Sequence, residues 1–289
     1  MRYLPFLTLS ALAAAAAPAQ DLTHSDVIIR APTHVNRAEA RSQVAGIAWQ
    51  TNGQLGRFID PVCPEVMGMP EPYASIVVKR IRFIAAQLGV PLDNAKCSPN
   101  LFVVLSDDPR AFIRSLEKKG GLRLLTDARR AELLNEGPPA IAWATGEMRN
   151  EDGERKQPHT IMQDQFGRAL DIGTNLPTRT ASITDVSSQI ALTQSVIVFE
   201  NAALVGKTLT QIADYAATRT LADTRASAPA TAANVTILTL FDRTRTAPPE
   251  LTSFDWEYLK ALYRIRPTQG AIKQISEIGR AISKASGEK

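Results

Sequence analysis

Apolar residues return at the helical interval in six stretches of this chain and run unbroken in three others, so helices and buried strands are interleaved along it. NRAEARSQVAGIAWQ, residues 36–50, reads as a first helix, with a turn at Thr51, Asn52 and Gly53 and a short extended piece, QLGRFI, after it. Pro61, Pro64 and Pro70 predict irregular chain in the next stretch. ASIVVKRIRFIAAQLG then places Val77, Ile81, Ile84, Ala85 and Leu88 on one helical face, with Lys79 and Arg82 directed elsewhere. Gly89 and Pro91 end that helix. LFVVLS and AIAWATGEMR read as strands, PRAFIRSLEKKGG as the helix between them, and TASITDVSSQIALTQSVIVFEN as β-rich chain closing in a strand at Val196–Phe199.

LVGKTLTQIADYAATRTLAD, residues 204–223, invites three readings: a phosphate loop, the helix of a metal site, or a buried helix. A phosphate loop needs glycine five residues ahead of its Gly-Lys-Thr, because backbone amides must curl around the anion, and Asn201 stands there. A zinc helix needs two histidines one turn apart, and this stretch has none. The third reading accounts for the residues: Gly206 turns the chain, Thr208 and Gln211 form a capping box, and Leu209, Ile212, Ala213 and Ala216 make the buried stripe. ADTRASAPATAAN reads as a loop. SFDWEYLKALYRI and QGAIKQISEIGRAISKA follow as two amphipathic helices divided by Pro267, with Ala271, Ile275, Ile278 and Ile282 on one face of the second.

These elements predict an α+β fold, a small mixed sheet packed with amphipathic helices. It forms one compact unit or two closely packed lobes, 20–145 and 146–289, meeting near residues 140–150. The first nineteen residues change the picture of location. MRYLPFLTLSALAAAAAPA has one basic residue, an apolar run and a small-x-small site, the form of a secretory signal peptide, which predicts a periplasmic or secreted product. No other segment is apolar over a bilayer's width, so the chain is not expected to span a membrane. Two cysteines, Cys63 and Cys97, are expected to pair in an oxidising compartment, closing a loop worth roughly 3–4 kcal/mol on the chain-entropy argument.

The formal net charge of +4 is too small to point to nucleic acid. The basic excess is local: Lys260, Arg264, Arg266, Lys273, Arg280, Lys284 and Lys289 stand against Glu277 and Glu288 after Tyr258. It is either a solvated helix face or a contact for an anionic envelope surface or acidic partner. Other chemistry is fragmentary. His24, His34 and His159 are the only histidines, dispersed along the chain. Ser115 with Lys118, Ser98 with Asn100, and Lys207 supply serine-enzyme elements in the wrong order. Asp107 with Asp108 and Glu151 with Asp152 sit in turns, where capping and solvation explain them. No catalytic, cofactor-binding or metal-ligating set is assigned, and no cofactor is expected.

At PVCPEVMGMP, RIRFIAAQLGV and CSPNLFVVLSDD, and again at VIVFENAALVGKTLTQIADYAATRTLA, TILTLFD and DWEYLKALY, the chain resembles a family of uncharacterised secreted proteins of Gram-negative bacteria. A fainter similarity is to metzincin-like domains, in which VIVFE, the helix from Thr208 and DWEYLKALY would take the places of a strand, the active-site helix and a later segment, without the zinc motif. The resemblance implies a degenerate zincin-like C-terminal half and transfers no catalytic residue. Together these readings point to non-catalytic binding or scaffolding in the cell envelope, with an unknown envelope protein or ligand as partner. The alternative is an envelope hydrolase, peptidase-like, with a dispersed active site.

Overall fold

The computed structural model describes residues 35–94, 96–137, 139–155, 161–163, 165–166, 168–171, 186–226 and 235–287. The signal-like leader, all three histidines and most of the ADTRASAPATAAN loop lie outside them. Among the described residues the fold is α+β, with seven α-helices and seven strands.

A mixed sheet is organised around β7 (Ser188–Glu200). On one side β4 (Ala140–Asn150) runs antiparallel along its whole length, from Ala140 opposite Phe199 to Asn150 opposite Ser188. The other side is shared by two parallel strands laid end to end: β1 (Arg57–Phe58) beside Ala191 and Leu192, and β3 (Leu101–Ser106) beside Ser195 to Glu200. β2 (Pro64–Met67) adds the far edge, parallel to β3. A separate antiparallel pair is formed by β5 (Ile161–Gln163) and β6 (Ala169–Asp171). The proline-rich stretch is thus not wholly irregular. Pro64 opens an edge strand, where a residue without an N–H costs the ladder nothing.

Strand alternation divides the sheet's side chains between two cores. Leu101, Val103, Ala140, Ala142, Ile197 and Phe199 face the larger one. Val104, Ile141, Trp143, Val196 and Val198 face the smaller. Burial on both faces is why these strands read as continuous apolar runs. The smaller core is closed by α3 (Pro109–Lys118) and α4 (Asp127–Asn135) through Ile113 and Leu133. The larger is closed by α1 (Arg37–Ile47), α2 (Glu71–Gln87), α5 (Leu209–Leu221), α6 (Ser253–Arg264) and α7 (Ala271–Ala285). The apolar faces expected for α2 and α7 are the buried ones.

Thr208 and Gln211 form the expected capping box at the start of α5, and Gly206 turns the chain there with φ +78°. The helix is buried more completely than its stripe predicts: every residue from Ile212 to Leu221 is inside. Cys63 and Cys97 form a disulfide, with Cα atoms 6.0 Å apart. It ties the chain entering β2 to the chain entering β3. Asn100 supports the same junction, accepting from the Cys63 amide at 2.8 Å and donating to Pro61 O at 3.0 Å. No described helix is long and apolar enough to cross a membrane.

Candidate binding site

Two charged groups buried inside α5, Asp214 and Arg219, reach neighbouring elements. Arg80 of α2 grips Asp214 through both carboxylate oxygens, at 2.7 and 2.9 Å, and Asp214 also accepts from the Leu251 amide at 2.7 Å. One turn further, Arg219 donates to the Tyr215 hydroxyl and to Glu136, each at 3.0 Å. Asp223, just past the helix, lies 3.8 Å from the Arg129 guanidinium, and Arg129 stacks on the Trp49 ring at 4.1 Å. Burial pushes the Asp223 carboxyl up to about 6, with Arg129 and Arg219 opposing the shift. These pairs fasten α2, α4 and the 250 loop to α5. None of them lines either of the two cavities described below.

A cavity of about 1070 Å³ opens instead between α6 and α7. Its walls carry Arg57, Arg264, Arg266, Arg280 and Lys284 against two carboxylates, Glu257 and Glu277. Both carboxylates are engaged. Glu257 lies 3.7 Å from Lys260, and Glu277 accepts from the Gln269 amide nitrogen at 3.1 Å. Arg264, Arg280 and Lys284 are exposed and have no carboxylate partner among the described residues. Excess positive charge in a concave, low-dielectric surround focuses the field on whatever enters it.

The local sequence explains why this cleft holds its shape. Thr252 and Asp255 form a second capping box, starting α6. Asp255 is fully buried, and burial pushes it up to about 6 against hydrogen bonds from Thr236, Ile237 and Thr252. Arg57, from β1, donates to the carbonyls of Leu262 and Ile265 at 2.8 and 2.9 Å, capping the end of α6. Its burial lowers the guanidinium's pKa from the ordinary value. Pro267 stops α6 and Gly270 starts α7. The turn between them is clamped by buried glutamines: Gln54 donates to Pro267 O and Ser188 O at 3.1 and 2.9 Å, and Gln274 donates to Pro267 O at 3.2 Å while accepting from Leu55 N at 2.8 Å.

The basic excess after Tyr258 is therefore partly a site. Arg264, Arg266, Arg280 and Lys284 converge on it. Lys260 pairs with Glu257, Lys273 does not line the cleft, and Lys289 lies outside the described residues. Arg57, far upstream in the chain, and Gln269 belong to the cleft and gave no sequence signal.

The other candidates disperse. Ser115 and Lys118 are exposed on α3, and Asn100 is the disulfide's support. Lys207 lies 6.0 Å from the Phe241 ring centroid. Asp108 caps α3, Asp107 accepts from Asn201 at 2.7 Å, and both line a second cavity of about 300 Å³ with Arg110 and Glu200, beyond the carboxyl ends of β3 and β7. Glu151 and Asp152 sit in the turn after β4. Among the described residues no group of three or more His, Cys, Asp or Glu side chains is placed to hold a metal.

No protein-family model matches this chain, and no match is found among curated proteins or solved structures.

Proposed function

We propose that this is a non-catalytic binding protein of the cell envelope, exported to the periplasm or beyond, whose α6–α7 cleft receives an anionic ligand or the acidic surface of a partner. The observation that carries the reading is the convergence of five cations on one concavity, three of them without a carboxylate partner among the described residues. Export rests on the leader-like first nineteen residues, and the Cys63–Cys97 disulfide is in keeping with it. The resemblance to secreted proteins of Gram-negative bacteria belongs to the same proposal. So does a zincin-like C-terminal half, for which the order β7, α5, α6 is the support.

Dextran sulfate, a polyanion without peptide groups, tests the cleft. The triple variant Arg264→Gln, Arg280→Gln, Lys284→Gln should bind it about tenfold more weakly at low salt, since each exposed ion pair contributes roughly 0.5 kcal/mol. The control variant Lys79→Gln, Lys118→Gln, Lys119→Gln removes as much charge elsewhere and should lose little. Equal losses would assign the binding to net charge and overturn the reading.

A further inference from the structure

Gln269 sits in the α6–α7 cleft with 4% of its surface exposed, and its two polar atoms fare differently. The amide nitrogen donates to Glu277 at 3.1 Å. The carbonyl oxygen has no donor among the described residues. A buried acceptor left unpaired costs roughly 1–3 kcal/mol. Gln43, Arg129, Ser195 and Arg219 also carry a buried polar atom without a partner among the described residues, but of these residues only Gln269 lines the cleft. The flipped amide would set the oxygen against the Glu277 carboxylate, so rotation does not relieve it. The cleft thus combines a cationic wall with a lining residue whose buried carbonyl oxygen is unpaired.

From this pairing we infer that the cleft's ligand is an acidic peptide in extended conformation, its carboxylates on Arg264, Arg280 and Lys284 and a backbone N–H on the Gln269 carbonyl. The inference rests on the anion-binding reading of the same cleft and narrows it to one chemistry. Arg280 and Lys284 are four residues apart on α7, a rise of about 6 Å. Alternate side chains of an extended peptide repeat at about 6.5 Å, so carboxylates at i and i+2 meet successive cations on one wall. On the facing wall, Arg264 closes α6 beside Ile265, which is extended at φ −64°, ψ 158°.

Two competing anions fit less well. Single-stranded nucleic acid binds on aromatic platforms. Among the described residues Tyr263 is the one aromatic lining the cleft, and its hydroxyl is committed to Leu221 O at 2.7 Å. An anionic bilayer needs a flat or convex basic face with apolar residues to insert. Here the cations line a hollow, and the large exposed apolar residue of α7, Ile272, is not among the lining residues.

The experiment uses the leaderless full-length protein and fluorescence anisotropy of four probes. The first is a capped octapeptide in which aspartate and alanine alternate. The second is its block isomer, with all the aspartates ahead of all the alanines. The third is the alternating peptide with N-methylated alanines, and the fourth an oligothymidylate of matched charge. The alternating peptide should bind at least threefold more tightly than the block isomer and the oligothymidylate. Arg280→Gln with Lys284→Gln should weaken it about fivefold. N-methylation should weaken binding to the wild type and leave binding to Gln269→Leu unchanged. Thermal unfolding of Gln269→Leu checks its fold, and the exposed arginine and lysine variants carry the test if it is unstable. Equal binding of the two isomers, or preference for the oligothymidylate, would overturn the peptide assignment. If dextran sulfate binding still depended on the cleft cations in that case, the anion-binding reading would stand without it. Tight peptide binding indifferent to those cations would remove both.

Discussion

Asp223 follows α5 in the left-handed region, at φ +43°, with its carboxyl inside the protein. Arg129 and Arg219 face it as cations, Glu132 and Glu136 as anions, and desolvation outweighs them all to bring its pKa to about 6. A carboxyl raised in the folded state binds a proton that the unfolded chain has released, so its contribution to stability is complete below about 4 and is lost as pH rises through about 6. Asp255 titrates in the same direction and window. We expect the unfolding free energy from urea titrations to fall between pH 4 and pH 6.5, by an amount on the order of 2–3 kcal/mol from Asp223 alone. Asp223→Asn should flatten that fall. An unchanged slope would mean that the Arg129 and Arg219 fields hold the group ionised throughout. None of this was legible in the sequence: ADTR gives a loop signal, and the burial of its aspartate depends on α4 and Trp49 arriving from elsewhere.

At the scale of elements, the legible helices were those with several apolar side chains on one stripe. α2 and α7 each bury five or more residues, and their spacing declared them. α4 buries only Arg129 and Leu133, too few to set a period, so its sole local mark is the Thr126 cap accepting from the Arg129 amide. β2 was hidden by prolines that an edge position tolerates. The cleft was half legible for the same reason: charges crowded on α6 and α7 are visible as composition, but Arg57 reaches them only through tertiary pairing. The seam between α1 and α7 makes a sharper prediction. A Cβ on Gly279 would stand 2.9 Å from the Arg41 backbone, N and Cα, and backbone cannot rotate away. Gly279→Ala gains up to about 1 kcal/mol in helix propensity. The clash costs about 1–3 kcal/mol, so the net effect should be a lower melting temperature. A higher one would mean that the two helices can part without loss.

For the molecule as a whole, the feature with the widest reach is the order in which β7's partners occur in the chain. β1, β3 and β4 precede it, and Gln54 closes onto Ser188 across 134 residues. Loop closure on that scale must precede the contacts that reward it, which slows folding. A chain ending at residue 187 keeps β1, β3 and β4 without their common partner, and we expect it to unfold non-cooperatively and bind hydrophobic dye; a sigmoidal denaturation curve would refute this. Vectorial synthesis gives the arrangement a further consequence. A polypeptide emerging from the ribosome displays the ribbon AIAWA without its neighbour, and the ribbon LFVVLS with only the edge strand β2 beside it, until the keystone is made, so the sheet cannot close for most of the protein's synthesis. A chain built this way stays pliable while it is still being handed on, and it shelters these ribbons only once the last third has arrived.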